Sequence, residues 1–366
     1  MPITSRAAVL VEPNKPLVVD EVTFPDPAPD QVLVKLFASG ICHSQLHQIH
    51  RPLEAWARGR LPTVIGDEAT GVVVARGHAV SHVKEGDHVI TTWIDRNNAE
   101  GKLPPVLHAL NQRPPIMATW RGKAVSASAA TWAEHVIASE RVVVPLDNDV
   151  ATDVTSIMGC AVPTGTGAIV NTLQVRAGES IAIFGAGGIG LCSIAAAAVV
   201  AAYPIIAIDM TEEKLSFARR FGATHGINAT SVNAVESIMA LTGEGVDYAL
   251  DAVGLPITQE QILRAVRPGA PGLRRGGTAL QVGLVPPTSK ALLDTTLFVG
   301  GRNFTRTHAG DCRPDRDFPM FVRWYREDKL RLNDLVTKRY ALDQVNEAVR
   351  DLDEGRIMGR AIFTFS

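Results

Sequence analysis

The strongest constraint in this chain of 366 residues is a glycine-rich turn set between two uncharged runs. Gly185-Ala186-Gly187-Gly188-Ile189-Gly190 follows the apolar Ser180–Phe184 and opens the helix-like Ile189–Ala202. Ile205–Ile208 is apolar again, and Asp209 closes it. G-x-G-x-x-G alone is a weak signal, but strand, turn, helix, strand and terminal acid together form the dinucleotide-binding fingerprint. Gly185 permits the tight turn, Gly187 lets backbone approach a pyrophosphate, and Gly190 lets helix lie close on strand. The free N–H groups at the helix start, about Gly188 and Ile189, offer hydrogen bonds and partial positive charge to phosphates. Asp209 can accept from the adenosine ribose hydroxyls and would repel a 2′-phosphate. Two unit charges about 4 Å apart interact by roughly 4 kcal/mol at an effective dielectric near 20, before solvent is discounted. NAD is therefore expected over NADP, with Lys214 in reach of the same ribose. A capping role for Asp209 on the helix from Thr211 is compatible with this and stays open.

Ile181–Ile208 carries no charge, so length alone would permit a membrane span. Its glycines and Pro204 fit strand, turn and buried helix better. The amino terminus shows no charged segment followed by an apolar one, and a soluble, cytoplasmic protein is expected. Apolar residues make up 46% and charged residues 20%, which suits packed cores over disorder. A net charge of -2 without a basic stripe argues against nucleic acid and anionic membranes as partners. Cys42, Cys160, Cys192 and Cys312 are scattered and form no C-x-x-C pair, so a disulfide framework is not expected. Cys192 reads as core, and Cys312 is left undecided.

Two halves differ in rhythm. Up to about residue 150, short Val/Ile/Leu runs such as 31–36, 71–75 and 88–92 are broken by Gly and Pro, the pattern of a β-rich domain. From Ser180, strands alternate with helices: Thr211–Phe221 has helical spacing, and Val246–Ala249 and Ala279–Val282 read as further strands. That order implies an α/β, doubly wound parallel sheet. Beyond about 305 the chain reads as polar and irregular until the strand-like Arg360–Phe365, which is expected to return to the first domain.

Residues 42–47 bring together a thiol, a hydroxyl and two imidazoles: Cys42, His43, Ser44 and His47. Asp67 and Glu68 add adjacent carboxylates, and Cys160 a second thiol. Thiolates and carboxylates from separate segments can make an open tetrahedral zinc site, though spacing alone does not establish one. With GICHSQLH at 40–47, GDEATGVV at 66–73, GCAVPTGTGA at 159–168, GAGGIG at 185–190 and GRAIFTF at 359–365, the chain resembles the zinc-dependent alcohol dehydrogenases of the medium-chain dehydrogenase/reductase superfamily over nearly its whole length. The resemblance implies a GroES-like β-rich catalytic domain at 1–160 and 307–366, and a Rossmann NAD-binding domain at 161–306. It implies Cys42 and Cys160 as catalytic zinc ligands, with Glu68 a carboxylate able to approach the metal. It implies that Ser44 takes the alcohol proton and His47 passes it to solvent through the cofactor ribose. His43 and Arg360 would face the pyrophosphate, Thr164, Val253 and Val282 would contribute to the cofactor site, and Trp93 would line the substrate pocket.

The chain departs from the family pattern in coupled ways. Asp67 stands where the family usually has His, and Gln45 where it has the Asp that orients that His. A ligand His wants a carboxylate behind it, whereas a ligand Asp would be repelled by one and is better served by an amide N–H. Asp67 is therefore expected as third ligand with Gln45 supporting it. The extra negative charge would make zinc a weaker Lewis acid, moving alcohol oxidation to higher pH. The four cysteines of the family's structural zinc would fall between about 94 and 115, where this chain has none, so one zinc at most is expected. About four additional residues lie within 51–61.

The expected chemistry is reversible, NAD-linked oxidation of an alcohol to an aldehyde or ketone, with Trp93 hinting at a bulky or aromatic substrate. A homodimer or homotetramer is implied by the resemblance alone. Two other readings stay open: a zinc-free NAD(P)H-dependent reductase of activated double bonds on the same scaffold, and a non-catalytic nucleotide-binding protein. Cys42 with Cys160 argues against the first, and Ser44 with His47 against the second.

Overall fold

The computed structural model describes residues 2–56, 60–96, 116–128, 130–270, 272–285 and 289–365. The chain divides into two compact units. The first holds Met1–Cys160, Arg313–Val322 and Leu332–Ser366, and the second Ala161–Cys312 and Arg323–Arg331.

The first unit is built around one long strand, Gln31–Ile41. It pairs antiparallel with Ala69–Arg76, His135–Ser139 and Arg360–Thr364. Register shifts near Leu33 and Leu36 let this one strand serve several partners. A closed barrel of Ile3–Leu10, Val18–Phe24, Met117–Trp120, Lys123–Ser126 and Thr63–Val64 lies in the same unit. Ser39 opposes Ala69 and Ile41 opposes Ala361, so Cys42, Glu68 and Arg360 arrive at one end of the sheet although they are far apart in sequence. Trp132 anchors the core there. It is fully buried, meets Phe363 edge-on at 5.1 Å, and donates its indole N–H to the Gly40 carbonyl at 3.1 Å. Burying such a ring contributes about 1.5–3 kcal/mol before entropy is counted.

The second unit is a six-stranded parallel sheet. Its order is His225–Asn228, Ile205–Asp209, Ile181–Phe184, Tyr248–Asp251, Thr278–Gln281 and Asn303–Arg306. The helices Gly188–Val199, Glu212–Arg219, Ala234–Thr242 and Pro256–Ala265 connect the strands. Ile181–Phe184 is buried throughout because both sheet faces are covered, which explains its unbroken apolar run. Among the described residues no helix is long and apolar enough to cross a membrane.

Three sequence expectations need correction. The strand expected at 246–249 runs Tyr248–Asp251: Val246 makes only an isolated bridge to Val266, and Asp251 stays in the strand, where the Val253 and Gly254 amides donate to its Oδ1. The second unit runs to Cys312, not 306, and also takes Arg323–Arg331. Thr172 Oγ1 holds Thr307 at 2.9 Å and Asp311 at 2.6 Å, which fastens that stretch to the second unit. The segment from 305 to 360 is not irregular. It contains the helices Pro314–Arg326 and Val345–Asp353 and the strand Val336–Tyr340. Phe318, Phe321 and Val322 are buried at helical spacing, as are Val345, Ala348 and Leu352. Dense charge and an internal Pro319 obscure that periodicity.

Candidate active site

Cys42 caps the short helix His43–Ile49, and its backbone N–H donates to Gln45 Oε1 at 3.1 Å. That contact is one half of a reciprocal cap, and it fixes the Gln45 amide: the oxygen serves Cys42, so Nε2 points away. Ser44 and His47 lie three residues apart on the same helix and share a face. Both are half-buried, while His43 is exposed.

Asp67 follows Gly66, whose φ of +124 suits glycine and where a Cβ would meet Thr131 Oγ1 at 2.3 Å. The turn brings the Asp67 carboxyl to Ser44, which donates to Oδ2 at 2.8 Å. Burial raises the Asp67 pKa and the Gln45 amide works against that rise, yet neither Gln45 Nε2 nor Asp67 Oδ1 completes a hydrogen bond of ordinary geometry. Gln45 therefore makes its firm bond to Cys42 and a weaker one to Asp67.

Cys160 ends the helical turn Val154–Gly159. The turn is wedged in place, since a Cβ on Gly159 would come within 2.4 Å of the Thr91 carbonyl and 2.6 Å of Glu68 Cβ. The donor atoms of Cys42, Asp67 and Cys160 all lie within 4.8 Å of one another. The hydrogen bond between the sulfurs holds the Cys42 thiol well below its ordinary range and pushes Cys160 well above it. Burial, then the nearby Cys42 charge, raises Asp67 to about 7. Two soft sulfurs and one carboxylate oxygen, with Oδ1 buried and lacking a donor, are a donor set that suits zinc.

Glu68 lies beside this cluster, outside the three-donor group. Its carboxylate, fully buried, is paired with the buried Arg360 guanidinium. Burial works against the Arg360 charge, but Glu68 and then Cys42 hold it firmly protonated. The Arg360 guanidinium holds Glu68 because that buried acid needs a cation. Sequence reasoning missed this pair; Gly40 makes room for it, since a Cβ there would stand 2.1 Å from Glu68 Oε1. Trp93 is half-buried just past the strand His88–Thr91. The stretch 97–115, where a structural zinc would be sought, lies outside the described residues, as do 57–59 within 51–61.

In the second unit, Gly185 has a φ of +96. A Cβ on Gly190 would stand 1.8 Å from the Gly185 carbonyl, whereas one on Gly187 would meet nothing within 4 Å. Gly187 caps the helix beginning at Gly188 and Ile189, so its side stays open to a ligand. Asp209 accepts from the Ala186 N–H at 2.8 Å and the Met210 N–H at 2.7 Å, and Lys214 Nζ stands 4.0 Å away. The cap of the following helix is Thr211, not Asp209. Val253 is exposed, Val282 is half-buried, and the buried Thr164 Oγ1 has no hydrogen-bond partner.

Residues 28–148 match the alcohol dehydrogenase GroES-like domain family, and 188–327 the zinc-binding dehydrogenase family. A Mycobacterium tuberculosis protein named "Putative alcohol dehydrogenase D" is 31% identical, covering 96% of this chain and 97% of its own. Benzyl alcohol dehydrogenase from Acinetobacter calcoaceticus is 28% identical, with a TM-score of 0.87 over 100% of both chains. An alcohol dehydrogenase zinc-binding domain protein from Burkholderia ambifaria is 29% identical, with a TM-score of 0.88 over 100% of both chains. This chain thus belongs to the zinc-binding alcohol dehydrogenases of the medium-chain dehydrogenase/reductase superfamily, and is an oxidoreductase.

Proposed function

We propose that the protein oxidises an alcohol to an aldehyde or ketone, reversibly, with NAD and a single zinc held by Cys42, Asp67 and Cys160. The convergence of those three donors within 4.8 Å is the observation that carries this reading. Zinc bound there would polarise the substrate oxygen and lower the pKa of the alcohol. Ser44 receives the alcohol's proton, and His47, one turn on, passes it toward solvent. NAD, which the turn at Gly185–Gly190 and Asp209 would hold, would supply the hydride acceptor. A bulky or aromatic alcohol is the favoured substrate, supported by Trp93 in the first unit and by the likeness to a benzyl alcohol dehydrogenase. The decisive experiment measures zinc per chain and turnover of benzyl alcohol, ethanol and a secondary alcohol with each coenzyme. Metal-free protein that still turns over alcohol would overturn the reading.

Two substitutions sharpen it. Ser44→Ala should lower kcat about a hundredfold while leaving NAD affinity unchanged. Equal turnover would remove Ser44 from the proton path. Asp209→Asn keeps an acceptor for the Ala186 N–H but removes the charge, so the NAD-over-NADP ratio in kcat/KM should fall by about tenfold to a hundredfold. An unchanged ratio would detach coenzyme choice from Asp209.

A further inference from the structure

The strand order of the second unit reverses between Ile181–Phe184 and Tyr248–Asp251: the first of these pairs with Ile205–Asp209 on one side and with Tyr248–Asp251 on the other. In such sheets a dinucleotide lies across the crevice at the reversal, one mononucleotide over each half. Gly187 and Asp209 belong to the first half. Asp251 ends the leading strand of the second half, opposite Phe184, and is fully buried. Its Oδ1 accepts from the Val253 N–H at 2.9 Å and the Gly254 N–H at 3.0 Å. Its carbonyl accepts from the Val282 N–H at 2.9 Å and the Gly283 N–H at 2.8 Å. One residue thus fastens the loops that follow Tyr248–Asp251 and Thr278–Gln281. Val253 in turn leans on the glycine turn, since a Cβ on Gly185 would meet Val253 Cγ2 at 2.7 Å. We propose that Asp251 positions the nicotinamide half of the coenzyme site, by holding Val253 and Val282 in place before the coenzyme arrives.

This rests on the proposed function, and it makes Asp251 a positioning residue that acts through the two loops. Burial raises its pKa, while the Gly254 and Val253 amides and the Thr258 hydroxyl work against the rise. A loop that let go would strand a buried carboxyl without those donors, so the open loop is disfavoured. The loops also interlock. Gly254 has a φ of +88, and a Cβ there would stand 2.4 Å from the Leu284 carbonyl. A Cβ on Gly283 would stand 2.2 Å from the Gly254 nitrogen. The adenosine side has its own fastening, because Asp209 accepts from the Ala186 and Met210 N–H groups. Truncating the Asp251 side chain leaves those bonds, and the backbone pairing with Phe184, in place.

The test compares dissociation constants of NADH, which needs both halves, and AMP, which needs only the first, by titration calorimetry. In Asp251→Ala the NADH constant should rise about tenfold to a hundredfold, while that of AMP stays within about twofold. Asp251→Asn keeps an oxygen that can accept the same two N–H groups, so it should restore most of the NADH affinity. A general loosening of the unit would weaken both ligands together, and that result would overturn the proposal. So would an Asp251→Ala protein with wild-type NADH binding, or an Asp251→Asn protein as weak as Asp251→Ala. If Asp251→Ala fails to fold, hydrogen exchange on the wild-type protein decides. The Val253 and Gly254 amides should already exchange at least about tenfold slower than unprotected amides without coenzyme. Free exchange there until NADH is added would overturn the proposal. Wild-type protein that binds neither NADH nor AMP would overturn the NAD reading itself, a result distinct from all of these.

Discussion

Replacing Cys160 with alanine is expected to reduce zinc to background and turnover by at least about a thousandfold, with the fold and NAD binding intact. The reasoning separates what positions the sulfur from what the sulfur does. The backbone leading to Cys160 is held by the fit of Gly159 against the Thr91 carbonyl and Glu68, and by Thr92 Oγ1 donating to the Gly159 carbonyl. None of those contacts involves the Cys160 side chain. Truncation to alanine therefore removes one of three donors without disturbing the turn that carries it. Two donors, one of them the Asp67 carboxylate, make a far weaker chelate than three, because metal affinity in such sites falls steeply with ligand count and geometry. The glycine-rich loop and Asp209 belong to the other unit, so NADH fluorescence titration should show near-normal binding. The check is zinc per chain by elemental analysis, far-UV circular dichroism, and steady-state kinetics on one preparation. Chelation of the wild-type protein should reproduce the loss, and added zinc should reverse it. A Cys160→Ala protein retaining a full equivalent of zinc would place the metal elsewhere.

The sequence exposed what depends on residue type and local order. The glycine spacing with Asp209 located the second unit, because Gly185 and Gly190 answer to steric needs that only glycine meets: the first has a φ of +96, and the second would collide with the Gly185 carbonyl. Cys42, Asp67 and Cys160 were visible as donor types, and the swap at 45 and 67 suggested which pair to read together. Partner choice across the sheet was not visible. Nothing in one-dimensional spacing says that Arg360 opposes the end of Gln31–Ile41 and meets Glu68, since that follows from antiparallel register set by tertiary pairing. Similarly, spacing does not show that the Gln45 oxygen takes the Cys42 N–H left unpaired at the helix start, while its amide favours the Asp67 carboxylate as expected. The helix Pro314–Arg326 escaped because charges and Pro319 break up its apolar positions.

Arg360→Met is expected to destabilise the protein by about 3–5 kcal/mol, more than removal of both charges together. Arg360 and Glu68 are almost wholly buried, at 4% and 0% exposure, so neither charge can recover its hydration by turning outward. Their mutual attraction, with a contribution from the Cys42 charge on Arg360, offsets that lost hydration. Take away the guanidinium and a carboxylate is left buried with Gly40 against it, where a side chain has no room to rearrange: even a single added carbon on Gly40 would stand 2.1 Å from Glu68 Oε1. Glu68→Gln in the same molecule removes the stranded charge and should restore most of the loss. The two single substitutions and the double form a cycle read by urea or thermal unfolding, with zinc content measured on each sample so that metal loss is not mistaken for ion-pair loss. Strong non-additivity is the expected result, because the two groups share one contact and one buried environment. If the singles and the double add to within about 0.5 kcal/mol, the pair is not what holds this end of the sheet together.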